Sequence, residues 1–96
     1  LVRLDCGPDG VAELTMIVAP QWRRSGQGRR MFDAALMHAR AVGLRRLVVY
    51  VELENEAALA FFGEMGFEAA GAIGGRIRMD RMVHNSGRVS PLDVGT

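Results

Sequence analysis

Residues 23–30 read Arg-Arg-Ser-Gly-Gln-Gly-Arg-Arg, "RRSGQGRR", and the chain continues at once with "MFDAALMHARAVG". Phe32, Ala35, Leu36, Ala39 and Val42 recur at helical spacing and mark a buried stripe. The pattern predicts a helix from about Gly28 to Val42, stopped by Gly43. A helix N-terminus presents unpaired backbone N–H groups and a partial positive charge. Glycines ahead of it let an anion reach the backbone, and arginines add bidentate bonds to phosphate oxygens. The stretch therefore reads as a pyrophosphate cradle, with a solvated basic turn as the competing reading. It is not a Walker loop, because that motif's lysine and Ser/Thr are missing. The dinucleotide fingerprint fails too, for want of a third glycine at the right spacing.

Outward from this stretch the chain alternates strands and helices. Upstream, "LVRLD" (1–5) and "VAELTMIVA" (11–19) read as strands joined by the turn "CGPDG", so they should form an antiparallel hairpin that ends at Pro20. Downstream, "RRLVVYVEL" (45–53) has a continuous apolar centre, as expected of a central strand buried on both faces. "NEAALAFFGEMG" (55–66) reads as a helix capped by Asn55 and stopped by Gly66, with Ala58, Leu59, Phe62 and Met65 inward. "FEAAGAI", a Gly74-Gly75 turn and "RIRMDRMV" (76–83) complete a strand pair. The expected order is strand, strand, helix, strand, helix, strand, strand.

Ninety-six residues allow one domain. A net charge of +1 gives no global field toward nucleic acid or membrane. No apolar run is long enough to span a bilayer, and Cys6 is the sole cysteine, which fits a reducing cytoplasm. All twelve basic residues are arginine. His38 and His84 have no partner cluster, so no metal site is expected. The six methionines fit core or half-buried positions, and Trp22 fits packing beside the cradle.

From Glu13 to Phe67 the chain resembles the GNAT family of N-acetyltransferases. In that family a strand runs into V-x-P-x-x-R and then into [RQ]-x-x-G-x-[GA], matched here by "AELTMIVAP" and Arg23-Arg24-Ser25-Gly26-Gln27-Gly28. A second block, N-x-x-A-x-x-x-Y-x-x-x-G-F, is matched by Asn55, Ala58, Phe62, Gly66 and Phe67 with every spacing kept. The resemblance implies an α/β (α+β) fold with a mixed, mostly antiparallel sheet flanked by helices. It implies that acetyl-coenzyme A is bound by the signature and by Arg29. Backbone groups of Met16, Ile17 and Val18 would meet the pantetheine arm, and Asn55, Ala58 and Phe62 would flank it.

The implied reaction is direct attack of a primary amine, on a small molecule or protein, on the thioester. It needs a base, a hydrogen-bond donor to the thioester oxygen and help for the leaving thiolate. The resemblance suggests a backbone N–H near Ile17 or Val18 as that donor. Many members carry a tyrosine as the acid where this chain has Phe62, which has no proton to give. Tyr50, the only tyrosine, lies five residues before Asn55 and stands as a substitute acid or as a rim tyrosine of the core. Glu13 stands as a general base or as a polar residue on a solvated face.

Typical members begin with a strand, two helices and another strand, whereas this chain starts about one strand before the signature strand. The expectation is an N-terminally short domain over residues 1–84, with a loose tail over 85–96. Exposed apolar edges point to a homodimer. The alternative function is a catalytically degenerate acyl-coenzyme A-binding module, or a partial domain that needs a partner. The acceptor is not legible.

Overall fold

The computed structural model describes residues 1–17 and 26–83. The elements run β1 (Val2–Cys6), β2 (Val11–Met16), α1 (Gln27–Ala41), β3 (Arg46–Glu52), α2 (Glu56–Glu64), β4 (Glu68–Ile73) and β5 (Arg76–Met82). A single 3₁₀ turn over Pro8–Gly10 joins β1 to β2. Asp9 and Gly10 both take positive φ there, and the left-handed pair reverses the chain at "PDG".

Among the described residues the strands form one sheet in the order β1-β2-β3-β5-β4. Only β2 and β3 run parallel, with α1 as their crossover; the other pairs are antiparallel. The apolar centre of β3 is explained by this position: Leu47, Val48, Val49 and Val51 are all buried.

Register assigns the faces. Ala12 pairs with Leu47, and Val49 with Met79, so Ala12, Leu14, Leu47, Val49, Val51 and Met79 share one face. They join Phe32, Ala35, Leu36 and Ala39 of α1, and Phe62, Met65 and Phe67, in one core cluster. Both helices thus pack on the same face. Val48 is buried but lies outside that cluster, on the opposite face. That second face, which carries Glu13, Tyr50, Arg78 and Asp80, is not covered by a helix among the described residues.

Both helices end in the same way. At α1 the Leu44 N–H reaches Ala39 O and the Gly43 N–H reaches Arg40 O; at α2 the Phe67 N–H reaches Phe62 O and the Gly66 N–H reaches Gly63 O. These are Schellman turns, which need a left-handed residue at the glycine. Gly43 and Gly66 supply it at φ 80° and 92°. The α1 turn also explains a departure from the expected stripe: Val42 caps the helix and is exposed, and Leu44 takes the buried position. Met37 is exposed as well, on the outer side of α1, where a core or half-buried position was expected.

The Phe62 ring lies edge-to-face with Phe61 and Phe67, at 5.2 and 5.3 Å, and Phe67 continues to Phe32 at 5.8 Å. The Arg81 guanidinium lies 5.8 Å over the Phe32 ring. Burial pushes the Arg81 pKa down, and the charge of Arg40 pushes it the same way.

Candidate functional site

The sheet opens at one point. β2 and β3 are in register at Val11–Arg46, Ala12–Leu47 and Glu13–Val48, and no pair follows. β2 runs on to Met16 and β3 to Glu52, so the two parallel strands separate and leave a slot between them.

Which backbone groups line the slot follows from the hairpin. Ile17 donates its N–H to Leu1 O at 2.8 Å, and its carbonyl accepts from the Leu1 nitrogen at 2.8 Å. Ile17 is therefore bonded toward β1. Alternation along an antiparallel strand then turns the N–H and C=O groups of Leu14 and Met16 toward β3. The Ile17 amide and carbonyl, expected to meet the pantetheine arm, are bonded to Leu1 in this structure. The parallel Glu13–Val48 pair takes up the Leu14 N–H, so the Leu14 carbonyl and the Met16 N–H and carbonyl are the groups of β2 left facing the slot; Leu14 is a residue the sequence reading missed. The hairpin register was the available signal. Val18 lies outside the described residues.

α1 is the crossover between the two parallel strands, so its start lies at the end of the sheet where the slot opens. Gly26 precedes the helix at φ 83° and ψ 0°, and a Cβ placed there would meet nothing within 4 Å among the described residues. The first helical bond runs from the Arg30 N–H to Gly26 O. The N–H groups of Gln27, Gly28 and Arg29 precede it and have no intrahelical acceptor. Among the described residues no side chain caps the terminus, and the first turn has no acidic residue. Arg29 is exposed beside them. This end of α1 is open, positive and rich in donors, which suits an anion. Arg23, Arg24 and Ser25 of the expected cradle lie outside the described residues.

The second block sits across the crossover. Asn55 caps α2, its Oδ1 accepting from the Ala58 N–H at 3.1 Å. Ala58 is half-buried and Phe62 is fully inside the aromatic cluster, so both pack as well as lie near the end of β3. Glu13 and Tyr50 point to the same uncovered face, on strands either side of the slot. Tyr50 is 39% exposed and Glu13 is exposed, so both are reachable from solvent.

The profile described as "Acetyltransferase (GNAT) family" matches residues 2–67. The chain belongs to the GNAT family of acetyltransferases, and its mixed sheet with two helices is that fold. It is 38% identical over 64 residues to a mycothiol acetyltransferase of Geodermatophilus obscurus, a match covering 66% of this chain and 21% of that protein. It is 32% identical over 74 residues to an uncharacterized N-acetyltransferase of Methanocaldococcus jannaschii, covering 76% and 33%. Among solved structures it resembles the PaiA N-acetyltransferase of Thermoplasma acidophilum in complex with coenzyme A, with a TM-score of 0.80, 20% identity and coverage of 84% and 51%. Ard1 of Thermoplasma volcanium gives a TM-score of 0.79 at 21% identity, covering 86% and 62%. The chain thus spans about a fifth of the mycothiol acetyltransferase it matches and about half of the PaiA structure. No helix among the described residues is long and apolar enough to cross a membrane.

Proposed function

We propose that the protein is an acetyl-coenzyme A-dependent N-acetyltransferase acting on a primary amine. The observation that carries the reading is the slot between β2 and β3, which opens after Glu13–Val48 at the end of the sheet where α1 starts, a helix start that no described side chain caps. The residues suit the coenzyme. The pyrophosphate would meet the N–H groups of Gln27, Gly28 and Arg29 beside the open space at Gly26. The pantetheine arm would add to β2 as a short strand on Leu14 and Met16. The matched GNAT profile and the PaiA complex with coenzyme A support this assignment.

In the proposed reaction the amine nitrogen bonds to the thioester carbon and the carbon–sulfur bond breaks. Glu13 orders the water that takes the amine proton, and the Tyr50 hydroxyl returns a proton to the departing thiolate. A thiol's ordinary pKa of about 8.5 makes that leaving group tolerable even with Phe62 in the usual tyrosine position. A backbone N–H at the open edge of β2 takes the charge that develops on the carbonyl oxygen. The reading places the protein in the cytoplasm. It also keeps the homodimer, for which the wholly exposed β4 edge is the available surface.

Calorimetric titration with acetyl-coenzyme A tests the reading, with Gly26→Glu as the control. Binding by the wild type, lost in the variant, and amine-dependent release of free thiol are the expected results. A folded wild type that does not bind overturns it.

A further inference from the structure

Arg78 is the cross-strand partner of Tyr50, so the two side chains stand side by side on the uncovered face. Asp80, the next residue of β5 on that face, is shared: Arg46 Nη1 lies 3.6 Å and Arg78 Nη2 lies 3.8 Å from the same Oδ2. Both separations exceed a hydrogen bond. Two guanidinium groups thus face one carboxylate, which leaves the trio with one positive charge. The Arg78 Nε is buried and has no hydrogen-bond partner among the described residues. Arg76, one position earlier on the same face, is instead paired with Glu52 at 3.3 Å. The fold neutralises Arg76 and leaves Arg78 with charge to spare.

The neighbouring side of the face has the opposite sign. Glu13 pairs with Val48, and Val48 with Asp80, so Glu13 lies one strand beyond β3 from Arg78. Acid, tyrosine and arginine therefore run diagonally across β2, β3 and β5 at the mouth of the slot. Adjacent strands are about 4.8 Å apart and Arg78 lies two residues along β5 from the row of Glu13, so Glu13 and Arg78 stand about 12 Å apart at the backbone. Their long side chains close most of that gap. The arrangement complements an ammonium and a carboxylate separated by a few bonds.

We propose that Arg78 selects the acceptor, which is an amine carrying a nearby carboxylate, such as a free amino acid. The inference rests on the acetyltransferase reading, because it names the substrate class of that site. The carboxylate lies against the Arg78 guanidinium, whose bond to Asp80 is too long to compete. The amine is left beside Tyr50 and Glu13, at the slot. Arg78 makes no bond to the reacting atoms; it sets which amine arrives there.

The test uses product-like probes that differ only in charge. N-acetylglycine and N-acetylglycinamide are titrated into the protein, and binding is followed by the NMR shift of the Tyr50 ring. The wild type should bind the carboxylate about tenfold tighter than the amide, the scale of a charge-assisted hydrogen bond. Arg78→Gln should bring the two within about twofold, and Arg78→Met serves the same purpose if the glutamine variant does not fold. Arg76→Gln makes the same change of net charge and should keep the preference. Equal binding of both probes by the wild type, or a preference that survives in Arg78→Gln, overturns the proposal. Acetyl-coenzyme A added to the same samples separates the two readings. Carboxylate preference without coenzyme binding keeps the Arg78 site and sinks the enzyme; coenzyme binding without carboxylate preference does the reverse.

Discussion

Glu13 is the last residue of β2 with a partner on β3, and that partner is Val48. The pairing decides what the fold can do. Up to Glu13 the two parallel strands share a ladder. Beyond it each carries backbone groups with no neighbouring strand between them, and in a sheet that is an invitation to an added strand. The candidate base therefore stands at the fork, and the candidate acid, Tyr50, lies two residues past it on β3.

If Glu13 and Tyr50 handle protons, their removal should slow transfer without disturbing the fold. Both are exposed, so neither variant should change the melting temperature. Tyr50→Phe and Glu13→Gln should each lower kcat about a hundredfold, within the usual span of a general acid or base. The acetyl-coenzyme A dissociation constant should stay as it is. Unchanged kcat in both would move the proton chemistry to other groups.

Gly66 and Arg81 should be energetically coupled. A Cβ on Gly66 would sit 2.9 Å from Arg81 Nε, at a φ of 92°. Gly66→Ala should therefore cost about 1–2 kcal/mol from the left-handed backbone alone, plus the displacement of Arg81. In an Arg81→Met background only the backbone cost should remain. A double-mutant cycle by denaturant unfolding measures the difference, and strict additivity would contradict the contact.

Arg81→Met alone should be neutral or stabilising, by about 1 kcal/mol. The guanidinium is held where burial, and then Arg40, disfavour its charge, and its Nη1 is buried with no hydrogen-bond partner among the described residues. Its pKa is lowered in the fold, so the protonated form is penalised there, and the penalty applies wherever the group is protonated in both states. An arginine stays protonated across the working pH range. The gain in Arg81→Met should therefore be flat with pH from about 5 to 9, by the ordinary titration limits of arginine. A loss above about 1 kcal/mol would mean that the contact with Phe32 outweighs the burial cost.

Phe62→Ala should cost about 3–5 kcal/mol, because it removes the middle ring of the Phe61–Phe62–Phe67 group. Thermal unfolding checks this. A cost under about 1 kcal/mol would show that Phe62 is not a core residue, whatever its place in the family motif.

Much of this was legible in the sequence. The hairpin could be read because Asp9-Gly10 is a turn that sequence chemistry specifies. The helix stops could be read because Gly43 and Gly66 satisfy a backbone need. The central place of β3 could be read from its unbroken apolar run. Val42 and Met37 were misplaced because periodicity knows the helix phase but not where the sheet beneath it stops. That Ile17 bonds toward Leu1 was not legible, because the direction of a backbone amide depends on pairing and alternation of side chains does not reveal it. Arg78 drew no notice, since an arginine on an alternating strand looks like any solvated charge. Only the β3–β5 register sets it beside Tyr50 and gives Asp80 two claimants.

The central claim is that the open edge of β2 receives the pantetheine arm, and amide hydrogen exchange tests it most directly. Exchange should be followed at Leu14, Met16 and Ile17 with and without acetyl-coenzyme A. The account predicts that Met16 slows markedly when the coenzyme is added, while Ile17, already bonded to Leu1, and Leu14, whose N–H is taken up by the Glu13–Val48 pair, keep their rates. Coenzyme binding that leaves Met16 unprotected would contradict it, because the coenzyme would then lie somewhere other than the fork after Glu13 and Val48.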